Sequence, residues 1–324
     1  MQATAQRNHA IDSLKLVCAL LVVCIHCHYP YKRELLPITD VAVPLFFCIS
    51  GYFLYGAKRK WTRIKRIAII FAWSAALYLL KTEIFQLATL HQPWIPTLHD
   101  LTNLVIFNDV TFSIHLWYLP AYIYVLVIAF FIDKYNLWKA SFYAIVPLLL
   151  AGVLIKCAIA DTCPEQIQYY RNALFTGLPY FMLGAFVKHL PPPSHSYKLH
   201  ISNHLRPVML CLVIALFAAR YLLGSNGILD GTLREFNLML LTGSILLLAT
   251  ICTQREDNIL SKLGRSYSLY IYIFHLLIMS VCQTIATHFP PSISLAYSYI
   301  NPLCVFALSI ALTYFLHKLR IIKV

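Results

Sequence analysis

Residues 10–28 read AIDSLKLVCALLVVCIHCH, an apolar run interrupted by Asp12, Lys15 and His26. A helix needs about 20 mainly apolar residues to cross a bilayer, and this run meets that length. No small-x-small cleavage site follows it. The segment ends instead in Cys24-Ile25-His26-Cys27-His28, so it reads as a retained first helix rather than a secretory leader. Working outward, further spans are expected at 40–56, 67–88, 115–132, 140–158, 172–189, 207–223, 233–253, 266–286 and 297–317. Proline, glycine and charge punctuate them, as in Lys188-His189-Leu190-Pro191-Pro192-Pro193 and Gly224-Ser225-Asn226-Gly227. The longest connector, 89–114, is expected to hold an interfacial helix around Leu98–Phe107.

Composition supports this reading. Hydrophobic residues make up 60% of 324 positions and charged residues 12%, about half the charged share of a soluble domain. A soluble globule of this size is thereby excluded. The formal net charge of +13 sits in loops beside the spans. It points to topology control and to anionic headgroups or phosphates rather than to nucleic acid. With the N-terminus inside, eighteen of the 26 Lys and Arg fall in cytoplasmic loops and seven outside, with Lys15 inside the first span. Both termini are therefore expected in the cytoplasm. The expectation is an all-α integral membrane protein, about ten helices around a central polar cavity, forming a single domain over 1–324 with no appended soluble domain. Cys157 and Cys163 flank a short outer loop, where they either form a disulfide or remain two thiols.

Ionisable groups inside spans are costly and draw attention to function. Lys15 and His26 lie eleven residues apart, about three turns plus 20° of helix, and so share one face. Asp12, one turn before Lys15, can pair with it. His26 is either a general base or a buried histidine bonded to a neighbouring helix. Arg63-x-x-Arg66 opens the third span. It is either part of a positive-inside loop or a pair of guanidinium forks converging on one phosphate. Ser50-Gly51-Tyr52 closes the second span, where small residues permit close helix approach. Further polar and aromatic groups are Lys81, Glu83, His115, Trp117, Tyr118, Arg171, Tyr270 and His275. Cys24, His26, Cys27 and His28 point in different directions on a helix, so no metal site is expected.

Taken in order, Asp12-x-Leu14-Lys15 with ten residues before His26, Val43-Pro44-Leu45-Phe46-Phe47 through Ser50-Gly51-Tyr52, and Arg63-x-x-Arg66 form the first half of a pattern. The second half is His115-Leu116-Trp117-Tyr118-Leu119, Arg171-Asn172 leading to Gly177-Leu178-Pro179-Tyr180-Phe181, and Gly264-x-Ser266-Tyr267-Ser268-Leu269-Tyr270 with His275. The whole resembles the acyltransferase-3 family of bacterial membrane O-acyltransferases. That resemblance implies transfer of an acyl group, usually acetyl, from cytoplasmic acyl-CoA to a hydroxyl of a surface glycan or lipid-linked glycan. It implies His26 as the catalytic histidine with Lys15 and Asp12 beside it, and Arg63 and Arg66 as the donor-binding pair. Ser50, Tyr52, Glu83, His115, Trp117, Tyr118, Arg171, Tyr270 and His275 are expected to line the substrate cavity. Acetyl-CoA would be a donor substrate rather than a resident cofactor, and the address a bacterial inner membrane. Many relatives carry arginine where this chain has Lys15, which keeps the charge but loses the planar fork. The competing expectation is a small-solute transporter or flippase without chemistry. Against it, the two halves show no internal symmetry and no P-loop is present.

Overall fold

A computed structural model describes residues 8–58, 60–159, 162–163, 165–190, 197–222, 227–252 and 256–322, and every regular element among them is helical. In chain order these are α1 (His9–His26), α2 (Lys32–Thr39), α3 (Ala42–Leu54), α4 (Lys60–Leu90), α5 (Leu98–Thr102), α6 (Tyr118–Lys134) and α7 (Trp138–Tyr143). They continue with α8 (Ile145–Ile159), α9 (Leu178–His189), α10 (Tyr197–Leu222), α11 (Gly227–Ile251), α12 (Ile259–Ala286) and α13 (Pro291–Lys318). Arg7, Arg59, Arg255, Lys323 and the connectors at Pro191–Pro193 and Gly224–Asn226 lie outside the described residues.

Nine stretches among the described residues are long and apolar enough to cross a membrane: His9–His26, Lys32–Leu54, Lys60–Leu90, Ile114–Lys134, Trp138–Ile159, Leu205–Leu222, Gly231–Ile251, Ile259–Ala286 and Pro291–Lys318. Each coincides with an expected span. The tenth expected span, 172–189, differs. Asn172 caps a π turn over Ala173–Gly177, and α9 follows with only 12 residues. The π turn runs directly into α9, so that 173–189 form one helical run, which is not among the nine.

The long helices have a narrow buried stripe and an apolar exposed face. Along α4, Ile64, Ile67, Ser74 and Tyr78 are buried, whereas Ile69, Leu80, Ile84 and Phe85 are exposed and Trp73 is 75% exposed. Water does not solvate such a face well, and lipid does. The chain is an all-α, multi-pass membrane protein. The connector holds the expected short helix, α5 followed by a π turn over Asn103–Phe107. Its start is fixed by a reciprocal capping box between Thr97 and Asp100. Those hydrogen bonds, led by the Thr97 hydroxyl, hold the Asp100 carboxyl below its usual range.

Two compact units divide the chain, with two of the four boundaries inside α3 and α11 and the other two on either side of α10. The first contains Met1–Ile49, Pro192–Leu222 and Leu240–Val324. In it, Leu16, Ala19, Val23 and Cys27 form a stripe at helical spacing that packs on Tyr267 and Ile271 of α12 and Val305 of α13. Both ends of α1 are tied down. The Asn8 side chain accepts from the Ala10 N–H and donates to the Ala249 carbonyl. The Asn301 amide donates to the His28 carbonyl at 3.0 Å. Asp40, which ends α2, receives a two-pronged contact from Arg220 in the last turn of α10.

Arg220 is only 2% exposed. Arg220→Ala would leave the Asp40 carboxylate without its principal cation, and a destabilisation of about 3 kcal/mol or more is expected. A lowered thermal unfolding midpoint in detergent would show it. A double replacement by leucine and methionine at Asp40 and Arg220 should regain much of the loss, because no uncompensated charge remains.

The second unit contains Ser50–Pro191 and Leu223–Met239. The Lys60 ammonium, 3% exposed, pairs with Asp133 at 2.8 Å, and the Trp138 indole donates to the same carboxylate. The Tyr180 hydroxyl donates to Glu235 at 2.5 Å. Gly51 faces the Phe181 carbonyl so closely that a Cβ there would overlap it, which explains the glycine in Ser50-Gly51-Tyr52. Cys157 and Cys163 are two free thiols rather than a disulfide.

Candidate functional site

The candidate catalytic residues of the first unit belong to α1 and α12. Asp12 is fully buried, and its Oδ1 accepts from the Lys15 Nζ at 2.8 Å. The expected i,i+3 pair is thus formed, with Lys15 19% exposed. Eleven residues further along α1, His26 closes the last turn. Its ring centre lies 5.1 Å from that of His275, with the ring planes tilted by 46°. His275 is fully buried, and its Nδ1 lies 2.6 Å from the Tyr272 carbonyl oxygen. A carbonyl only accepts, so this nitrogen carries the proton.

The two helices meet at a second point. Gly264 of α12 lies against the Asp12 carbonyl, where a Cβ would overlap the oxygen. Going from the Asp12 contact to the His26 contact, both helices run in the same direction. They are therefore parallel neighbours, held in register at one end by Gly264 and meeting at the other in two imidazoles. Tyr270 is buried on α12 and stacks on Phe274 at 6.4 Å.

The remaining candidates belong to the second unit. Arg63 and Arg66 are exposed in the first two turns of α4. Three residues apart, their guanidinium groups can close on one anion. Ser50 and Tyr52 are half-buried on α3, and the Lys188 ammonium lies 4.8 Å from the Tyr52 ring centre. His115 is buried, its Nδ1 3.0 Å from the Ser113 hydroxyl and its ring edge-on to Tyr78 at 4.6 Å. The Arg171 guanidinium covers the Trp117 ring at 5.2 Å, and Tyr118 stacks on Tyr122. Burial raises the nearby Asp109 carboxyl above its usual range, an effect that Arg171 partly offsets. Glu83 accepts from the Trp94 backbone N–H at 3.2 Å and so anchors the connector after α4.

Sequence inspection did not single out Asp40, Arg220, Lys60, Asp133 or Glu235. The rule that flags ionisable residues in spans reaches Asp40, Arg220 and Glu235, whereas Lys60 and Asp133 lie just outside the expected spans; the pairings are long-range and leave no local signal. Among the described residues, no cluster of three or more His, Cys, Asp or Glu could hold a metal ion.

Residues 8–317, nearly the whole chain, match the model of the acyltransferase-3 family, described as an acyltransferase domain. The chain belongs to this family. It is a multi-pass inner-membrane protein. The chain is also similar to curated bacterial proteins that are named as racemases. A serine/alanine racemase of Enterococcus gallinarum is 31% identical over 130 residues, covering 36% of this chain and 18% of the relative. An amino-acid racemase of Enterococcus faecalis is 27% identical over 359 aligned positions, covering 98% of this chain and 47% of the relative. A second from that organism is 25% identical over 211, covering 56% and 28%. The chain spans less than half the length of the curated relatives it matches. No solved structure matches it.

Proposed function

We propose that this acyltransferase moves an acyl group, acetyl in the simplest case, from cytoplasmic acyl-CoA to a hydroxyl of a surface glycan or lipid-linked glycan, with His26 as the base. The observation that carries the reading is the imidazole pair His26–His275 within the spans, on the same face of α1 as the Asp12–Lys15 pair. His26 takes the proton of the acceptor hydroxyl, the oxygen attacks the thioester carbon, and the C–S bond breaks. The thiolate of CoA leaves and recovers that proton from the imidazolium. The imidazolium forms in the last turn of α1, where the carbonyl end of the helix favours positive charge. Arg63 and Arg66 hold the CoA phosphates at the cytoplasmic end. Ser50, Tyr52, His115, Trp117, Tyr118, Arg171 and Tyr270 shape the acceptor and acyl sites.

The test is transfer of label from radiolabelled acetyl-CoA to an envelope glycan extract by protein in nanodiscs. Wild type should transfer label. Arg63→Ala/Arg66→Ala should raise the KM for the donor, with each lost charge-assisted contact costing about 1.5–3 kcal/mol. The kcat at saturation should fall less. An unchanged KM would remove the arginines from the donor site.

A second reading, a small-solute transporter without acyl chemistry, is favoured by the relatives' names, which point to amino acids. Uptake of labelled serine or alanine into proteoliposomes, with no turnover of any acyl-CoA, would establish it instead.

A further inference from the structure

A crevice of about 370 Å³ in the second unit takes no part in the mechanism above. It is bounded by the end of the connector, the middle of α6 and the π turn before α9. Its volume falls in the ~300–1,000 Å³ range of small-molecule sites. Ile106, Phe107, Val127, Ile128 and Phe175 make its walls apolar. Two of its lining residues, Ile106 and Leu174, are 62% and 44% exposed. Val127 and Ile128 lie near the middle of the span Ile114–Lys134. The crevice therefore opens to lipid rather than to water. Most polar side chains in the lining are already matched. The Tyr124 hydroxyl donates to the Val105 carbonyl at 2.9 Å. The Asn172 amide donates to the Gln168 and Tyr169 carbonyls, and its oxygen accepts from the Leu174 and Phe175 N–H groups. The Asn108 oxygen accepts from the Ala173 N–H at 2.9 Å, which fixes the way its amide faces. Asn108 is 1% exposed, yet its Nδ2 finds no acceptor among the described residues. A left-handed backbone, with φ of 62°, accounts for an asparagine at this position. It does not account for a buried donor left unmatched, which is costly where water is excluded.

We propose that this crevice holds one acyl chain of a membrane glycerophospholipid, whose ester carbonyl accepts the hydrogen bond that the Asn108 Nδ2 has to give. The apolar walls take the methylenes. A neutral amide donor suits a neutral carbonyl, whereas a phosphate is matched by a cation. The proposal stands apart from the acyl-transfer reading and does not depend on it. Asn108 already ties the end of the connector to the π turn through the Ala173 N–H. The lipid thus becomes part of that joint, next to the Arg171 that covers Trp117.

The experiment titrates delipidated protein in detergent with dioleoyl phosphatidylglycerol and with its dialkyl ether, and reads binding by native mass spectrometry. The ether has the same headgroup and chains but no ester carbonyl. Wild type should bind the diester about 2- to 12-fold more tightly than the diether, the range of one neutral hydrogen bond. Asn108→Asp keeps an oxygen for the Ala173 N–H but loses the amide donor, and should bind the two lipids equally. Val127→Phe fills the crevice while leaving Asn108 in place, and should lose both the tight site and the preference. Equal affinities of the two lipids for wild type overturn the proposal, and that comparison needs no variant to fold. A preference for the diester that survives in Asn108→Asp or in Val127→Phe overturns it as well. A polyprenyl phosphate that binds wild type more tightly than the diester, and is lost in Val127→Phe, would assign the crevice to a lipid-linked carrier instead.

Discussion

His26→Ala is expected to reduce label transfer from acetyl-CoA by about 10²–10⁴-fold, the usual contribution of a positioned general base, while leaving the protein inserted and monodisperse in detergent. The second half of that expectation follows from packing. The core stripe of α1 is Leu16, Ala19, Val23 and Cys27, and His26 is not part of it. Alanine is the best helix former, and the helix end is secured independently by the Cys27 N–H to Val23 and by Asn301 on the His28 carbonyl. Loss of rate without loss of fold should therefore be cleanly visible, measured as turnover per folded molecule. A His26→Ala protein that acylates the glycan at the wild-type rate would remove His26 from the chemistry. Rapid quenching with labelled donor and no acceptor separates direct transfer from an acyl-histidine intermediate, since only the latter leaves label on the protein.

The second large effect is expected far along the same helix pair. Gly264→Ala places a Cβ on top of the Asp12 carbonyl, and no side chain is there to give way, since the obstacle is backbone. The helices must separate or slide. Overpacking of this kind costs about 1–3 kcal/mol, but activity should suffer more, because a displacement near 1 Å at the reacting groups can cost about 10²-fold. Gly231→Ala is a suitable control. Its Cβ would meet the side chains of Val153 at 3.3 Å and Cys157 at 3.8 Å, which can shift. The comparison is kcat of the two variants against their unfolding midpoints. If Gly264→Ala turns over at the wild-type rate, contact with the Asp12 carbonyl does not set the position of the histidines.

Most of the fold was legible because lipid imposes a simple demand: an uninterrupted apolar run of sufficient length. Nine spans follow it closely. The segment at 172–189 is helical from Ala173 on but is not among the nine, and hydropathy does not reveal the π turn with which it begins. Asn172 accepts from the Leu174 and Phe175 N–H groups and imposes a π turn before α9 begins. At the candidate site, the Asp12–Lys15 pair was legible, since an i,i+3 spacing is local geometry. The pairing of His26 with His275 was not, because each residue reads as a lone histidine in an apolar run and the two lie near opposite ends of the chain. Glu83 could be flagged as an acid within a span, but its Trp94 partner could not be read from hydropathy.

The parallel pairing of α1 with α12 also bears on how the protein is made. Within this sequence α1 is made well before α12, its principal partner. Until then α1 must reside in lipid carrying two ionisable groups near one end. Because Asp12 and Lys15 are bonded within the helix itself, each accompanies the other through insertion, and neither waits in hydrocarbon for a counter-ion from a later segment. The Asp40–Arg220 pair, drawn from α2 and α10, has no such protection during biogenesis. The two histidines therefore come together only once α12 has been made.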